Sequence, residues 1–256
     1  MFQANLFIGK IALVTGGGSG IGYAISKQLL QLGAQVIITS RNEEKLQKAT
    51  QELSQFGKIR YNICDIRIAE QTMLLANDIK AKEGILDILV NNAGGQFPSA
   101  AENISPKGFA AVVNNNLNGT WNATHAMANT FFIPQKNGSI VNIIANMFRG
   151  FPGMAHTGAA RAGVENLTMS LAVEWSKYNI NVNAVAPGFI QSSGMEQYPE
   201  AFKRGMEDTV PAKRLGTVDE VANLTVFLCA PVCKYITGET VYIDGGQRLW
   251  GDLFKL

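Results

Sequence analysis

The 256-residue chain predicts a single α/β domain, a doubly wound parallel sheet with helices on both faces. Three observations carry this reading. Short, uniformly apolar runs, beginning with residues 11–14, recur at intervals too long for hairpins, as expected of strands buried on both faces. Amphipathic helical patterns fill the intervals, which fits right-handed crossover connections. The first apolar run ends in a cluster of glycines and turns at once into a helix.

Composition bounds the remaining possibilities. The chain is 46% hydrophobic and 16% charged, enough for a substantial core, and no linker, repeat or low-complexity segment divides it. Its net charge of +2 is spread out, without the basic tract that nucleic acid demands. Cys64, Cys229 and Cys233 are odd in number and lack metal-ligand spacing, and only His125 and His156 could join them. Neither disulfides nor a metal is therefore expected, in keeping with a reducing compartment. No charged leader precedes an apolar segment, and no apolar run reaches the ~20 residues that span a bilayer, so the expectation is cytoplasmic. The terminal Phe254, Lys255 and Leu256 match only the last two residues of a peroxisomal address, and the bulky phenylalanine makes this a coincidence.

Taken in order, the elements converge on a nucleotide. Strand 11–14 passes into a helix at 23–32 through Gly16, Gly18, Ser19, Gly20, Ile21 and Gly22. Glycines there permit positive φ and close approach of a phosphate to the main chain, while the helix N-terminus offers its N–H groups to the anion. A second strand, 35–39, follows Gly33 and leads into a helix at 42–56. Where an acidic residue would bond an adenosine ribose and repel a 2′-phosphate, this chain has Ser40 and Arg41, which favours NADP(H). The third strand, 59–63, is followed by Asp65 at the head of a helical pattern running from Ile66 to about residue 82, so Asp65 is either a helix cap or a ligand to adenine. A fourth strand, 86–90, delivers Asn92, Ala93 and Gly94 at its carboxyl end, where open α/β sheets hold ligands. Helix 109–132 carries an inward-facing Asn116, which must be satisfied. Strand 139–144, helix 160–177 with Val164, Leu167, Leu171 and Trp175 on one face, strand 181–185, helix 218–228 and strand 240–243 complete the series.

Three motifs, Thr15-Gly16-Gly17-Gly18-Ser19-Gly20-Ile21-Gly22, Asn91-Asn92-Ala93-Gly94 and Asn181-Val182-Asn183-Ala184-Val185-Ala186-Pro187-Gly188, resemble those of the short-chain dehydrogenase/reductase family nearly end to end. The resemblance implies a Rossmann-type sheet with the cofactor half in about residues 1–150. It implies that Asp65 bonds the adenine amino group beside Ile66, and that Asn92, Ala93 and Gly94 lie against a ribose. By the same resemblance Asn116 bends its helix around a water and joins a proton relay, and Ile190, after Pro187 and Gly188, holds the nicotinamide carboxamide. It further implies a substrate lid over about residues 191–214 and a homo-oligomer, in particular a tetramer built on the two long helices.

The family's alcohol chemistry uses a serine and a Tyr-x-x-x-Lys pair, whose ammonium lowers the phenol's pKa. This chain departs from it. Thr157 stands at the tyrosine position after His156, Arg161 at the lysine position, where the resemblance implies that it also binds the cofactor through the nicotinamide ribose hydroxyls, and Ile144 and Ala145 in the serine region. Neither Thr157 nor Arg161 can exchange a proton near neutral pH. Three readings follow: an inactive cofactor-binding protein; ketone or alcohol chemistry with His156 as acid and base; or reduction of a carbon–carbon double bond conjugated to a thioester, where Arg161, Asn116 and Thr157 or Asn146 act as hydrogen-bond donors to enolate charge. Residues 91–97, 149–152, 156–163 and 211–216 resemble the peroxisomal trans-2-enoyl-CoA reductases and 2,4-dienoyl-CoA reductases. That resemblance implies an acyl-CoA substrate, with Arg149, Lys203, Arg204, Lys213 and Arg214 as charges around the lid.

Overall fold

A computed structural model describes residues 3–197 and 205–249, so Lys203, Arg204 and the last residues of the chain lie outside the described part. Seven parallel strands form the sheet in the order β3-β2-β1-β4-β5-β6-β9. They are β1 (Ile11–Thr15), β2 (Gln35–Ser40), β3 (Ile59–Ile63), β4 (Ile88–Asn91), β5 (Gly138–Ile143), β6 (Ile180–Pro187) and β9 (Thr240–Ile243). The order reverses between β1 and β4, which is where a doubly wound sheet opens a crevice at its carboxyl edge.

Alternation along the strands feeds two cores. Ala12 and Val14 pack with Val36 and Ile38 against helices Gly20–Gln31, Glu43–Leu53 and Val218–Cys229. Ile11, Leu13 and Ile37 face the other way, toward helices Ala69–Lys82 and Ala155–Trp175 and a long helix at 106–135. Both faces are apolar, so the strands read as unbroken hydrophobic runs rather than alternating ones.

Several boundaries differ from the sequence reading. The helix after β3 begins at Ala69, three residues later than the pattern indicated, with Ile68 at its cap. Asp65 is therefore not that helix's N-cap; its carboxylate accepts the Arg67 backbone N–H and both side-chain nitrogens Nε and Nη2. The long helix starts at Pro106 behind a Ser105 cap and contains two π-helical turns, Asn114–Asn118 and Ala128–Phe132. The next helix starts at Ala155, five residues before the sequence pattern, which places His156 and Thr157 in its first turn. The expected lid is bracketed by a short parallel pair, β7 (Ile190–Gln191) with β8 (Gly216–Thr217).

Candidate active site

Two turns at the carboxyl edge of the sheet are locked together. The Thr15 hydroxyl accepts the backbone N–H groups of Asn92 and Ala93 at 3.0 and 2.9 Å, and the Asn92 amide donates to the carbonyls of Thr15 and Gly16. A Cβ on Gly16, whose φ is +66°, would meet Asn92 Nδ2 at 2.9 Å, and one on Gly22 would overlap the Gly16 carbonyl. These two glycines thus serve the packing of the turns, whereas a Cβ on Gly18 or Gly20 would make only ordinary van der Waals contacts. Ser19 caps the following helix without a side-chain bond, and the first turn carries no acidic residue, so its positive end is left for an anion.

Around this turn lie two adjoining cavities that share Ile21, Asn92, Gly94, Ser192 and Gly194. The smaller, about 280 Å³, is lined by Gly16, Ser19, Gly20, Ser40, Arg41, Asp65, Ile66, Ala93 and Asn115 among others. Most of the proposed adenosine-side residues therefore meet in one place. Sequence reasoning missed Arg67, two residues beyond Asp65. Its guanidinium holds the Asp65 carboxyl below the usual carboxylate range, with Arg41 adding to the effect. The pair offsets a negative charge that would otherwise oppose a phosphate beside Ser40 and Arg41.

The larger cavity, about 600 Å³, extends from Gly94 and Gln96 past Ile143–Asn146 and Phe151 to Pro187–Ile190, Met195, Met206 and Arg248. Its charged lining residues are Arg149, Arg161 and Arg248; no carboxylate, lysine, histidine or tyrosine is among the described residues that line it. Asn146 is held by the Asp244 carboxylate at 2.9 Å, and the same carboxylate accepts the backbone N–H groups of Gly246 and Arg248. Arg248 lies over the Tyr242 ring, 4.3 Å from its centroid.

Arg161 is the cavity's most unusual group. It is 8% exposed, one Nη donates to the Ile143 carbonyl at 2.8 Å, its other Nη lies against Gly94, and Nε has no partner. Among the described residues no carboxylate pairs with it, and burial alone pulls the guanidinium down to about 10, still protonated at neutral pH. A cation buried in this way is costly unless something supplies hydrogen-bond acceptors or negative charge.

The other expected catalytic residues are placed differently. Asn116 is fully buried in the first π turn, and its amide donates to Gly95 and Val112 carbonyls at 2.7 and 2.9 Å while its oxygen accepts the Gly95 N–H. Both its donors are thereby spent on fixing the turn beside Gly94, and the π turn accounts for the helix irregularity. His156 and Thr157 are fully buried and line neither cavity. His156 Nδ1 accepts the Thr157 N–H at 2.8 Å, its Nε2 has no partner, and its ring stands edge-on to Phe97. Of the lid charges, Arg149 lines the cavity. Arg214 is paired with Glu220, whose carboxyl it holds down at about 2, and Lys213 donates to the Asp208 carbonyl.

Comparison with known proteins decides what this arrangement belongs to. A family model described as enoyl-(acyl carrier protein) reductase matches residues 16–248. A probable 2,4-dienoyl-CoA reductase of Bacillus subtilis is 38% identical over 247 residues, covering 94% of this chain and 97% of that protein. The chain belongs to the short-chain dehydrogenase/reductase family. Within that family it is also 36% identical to a 3-oxoacyl-[acyl-carrier-protein] reductase of Thermotoga maritima, over 93% of this chain and 97% of the relative. A solved short-chain structure, a citronellol catabolism dehydrogenase of Pseudomonas aeruginosa, matches with a TM-score of 0.88 at 42% identity, covering 97% of this chain and 98% of that one. Membership makes the protein an oxidoreductase of a nicotinamide cofactor. The residues fit such a group: the helix end after Ser19, which has no side-chain cap, and the unpaired Arg161 nitrogen both ask for polar or anionic partners. No described helix is long and apolar enough to cross a membrane.

Proposed function

We propose that the protein is an NADPH-dependent reductase of the carbon–carbon double bond in a 2-enoyl- or 2,4-dienoyl-CoA thioester. The observation that carries this reading is a cavity whose described lining residues include three arginines and no side chain able to exchange a proton near neutral pH. Reduction of a ketone needs a proton donor at oxygen, which the family takes from a tyrosine. Reduction of a conjugated thioester needs hydrogen-bond donors where the carbonyl oxygen gathers enolate charge, and the proton that completes it goes to the α-carbon, where solvent water can supply it without an acidic side chain at the oxygen.

In this reading the chain acts as one functional unit, about residues 1–150 holding the cofactor and about 191–214 covering the substrate. Gly16, Gly18, Ser19, Gly20, Ile21 and Gly22 cradle the pyrophosphate. Ser40 and Arg41 take the 2′-phosphate, and Asp65 and Ile66 bound the adenine. Asn92, Ala93 and Gly94 support the ribose, while Pro187, Gly188 and Ile190 orient the nicotinamide. The bound cofactor supplies the hydride. Arg161 offers fixed positive charge to the developing enolate, Asn116 acts through the Gly94–Gly95 turn, and Asn146 presents an amide held by Asp244.

The 3-oxoacyl relative favours a second reading, ketone chemistry, but the acid it requires would be His156, which is fully buried against Phe97 and lines neither cavity. The two are separated by incubating the protein with NADPH and crotonyl-, decenoyl- or dienoyl-CoA while following the nicotinamide absorbance. Oxidation of NADPH by an enoyl or dienoyl thioester is the expected result. Turnover confined to ketones or secondary alcohols, abolished by His156→Ala, replaces the proposal with the second reading. Cofactor binding without turnover of any of these makes the protein a cofactor-binding protein.

A tetramer follows from the same family reading. Phe109, Trp121, Met169 and Val173 are exposed on the two long helices, an apolar content that a monomer has no use for. Sedimentation at micromolar concentration should give a mass well above 27.7 kDa, and a monomer would contradict the assembly.

A further inference from the structure

Arg161 brings a full positive charge into the cavity, and among the described residues no carboxylate pairs with it. Arg248, from the turn after β9, lines the same space and stacks on the Tyr242 ring. Asp244 does not line it, and its carboxylate is tied to Asn146 and to two backbone N–H groups. Where a short-chain enzyme sets a lysine beside a tyrosine, loss of the phenol's proton offsets the cation. Thr157 has no such proton to lose, so that offset does not arise here.

A nicotinamide ring is uncharged when reduced and cationic when oxidised. We propose that Arg161 makes this site selective for the redox state of its cofactor, holding the reduced form more tightly than the oxidised one. The inference rests on the nicotinamide end lying in the larger cavity, but not on which substrate is reduced. Arg161 itself is buried, and like charges beside a buried group repel more strongly than in bulk water, so the oxidised product meets a penalty that the reduced reactant does not. Any hydrogen bonds that Arg161 would give the nicotinamide ribose are the same in both redox states and cancel in the ratio of their affinities. That ratio therefore reports charge and not mere structural support. A functional consequence follows: the spent cofactor leaves readily, and product inhibition by it is weak.

The test is equilibrium titration of the unmodified protein with NADPH and with NADP⁺, or with NADH and NAD⁺ if only those bind. The reduced form should bind at least about tenfold more tightly, equivalent to about 1.4 kcal/mol. Arg161→Met and Arg161→Gln, which remove the charge, should bring the ratio down by about tenfold or more, while Arg161→Lys, which keeps it, should preserve it. Equal affinities in the unmodified protein overturn the proposal, even if neither neutral variant folds. A ratio unchanged in a folded neutral variant also overturns it. Because no thioester enters the measurement, a preserved ratio alongside absent enoyl reduction removes the proposed substrate and leaves this inference standing.

Discussion

Replacing Arg161 with methionine is expected to lower kcat/KM for an enoyl thioester by ~10²- to 10³-fold, the usual cost of removing one preorganised donor to developing charge. The side chain's stem would still fill its site between Ile143 and Gly94, so the loss would come from charge and hydrogen bonding rather than from a cavity. Binding of an adenosine 2′,5′-bisphosphate fragment, which depends on the other cavity, should be unchanged. Kinetics on the enoyl thioester together with titration of the fragment separate the two effects. Equal losses in both would mean that the substitution had damaged the fold, and full activity would remove Arg161 from the chemistry.

The second large effect concerns the cofactor's 2′-phosphate. Arg41→Ala should erase most of a preference for NADPH over NADH, costing NADPH roughly tenfold to a hundredfold in affinity and NADH little, as expected for loss of one charge-assisted contact of about 1.5 to 3 kcal/mol. Arg41 and Ser40 line the smaller cavity beside the Asp65–Arg67 pair, whose mutual neutralisation leaves Arg41 as the charge that faces a phosphate. Titration of both cofactors against the unmodified and substituted proteins gives the answer. NADH binding as tightly as NADPH in the unmodified protein would contradict the assignment.

Much of this architecture was legible because it is written locally. Each central strand is an apolar run, and the glycine turn after β1 falls at a strand-to-helix junction that few other functions require. Element ends were harder. Ser105 and Pro106 are a cap and a first-turn proline, a signal present in the sequence, yet the helical pattern was taken up only at residue 109. The π turn at Asn114–Asn118 has no comparable local signature, since it inserts backbone without altering the surface pattern over a single turn.

The site's decisive contacts were not legible for a different reason. Asn116 spends its amide on Gly95, twenty-one positions away, and Asp244 reaches back ninety-eight positions to Asn146. Sequence spacing cannot reveal which polar groups meet across such distances. The identity of Arg161 in place of a lysine could be read directly, but that no carboxylate among the described residues pairs with it could not, because that is a property of everything packed around it. The burial of His156 behind Phe97 likewise becomes visible only when the helix start moves back to Ala155.

The central claim is that hydride goes to carbon and not to a carbonyl. It is tested most directly by supplying NADPH deuterated at the transferable position together with trans-2-decenoyl-CoA, and locating the label by mass spectrometry after hydrolysis of the thioester. One deuterium at the β-carbon of a saturated decanoyl product is the predicted result; an unlabelled, unreduced thioester, with label appearing instead at the hydroxyl-bearing carbon when a 3-oxoacyl thioester is supplied, would contradict it.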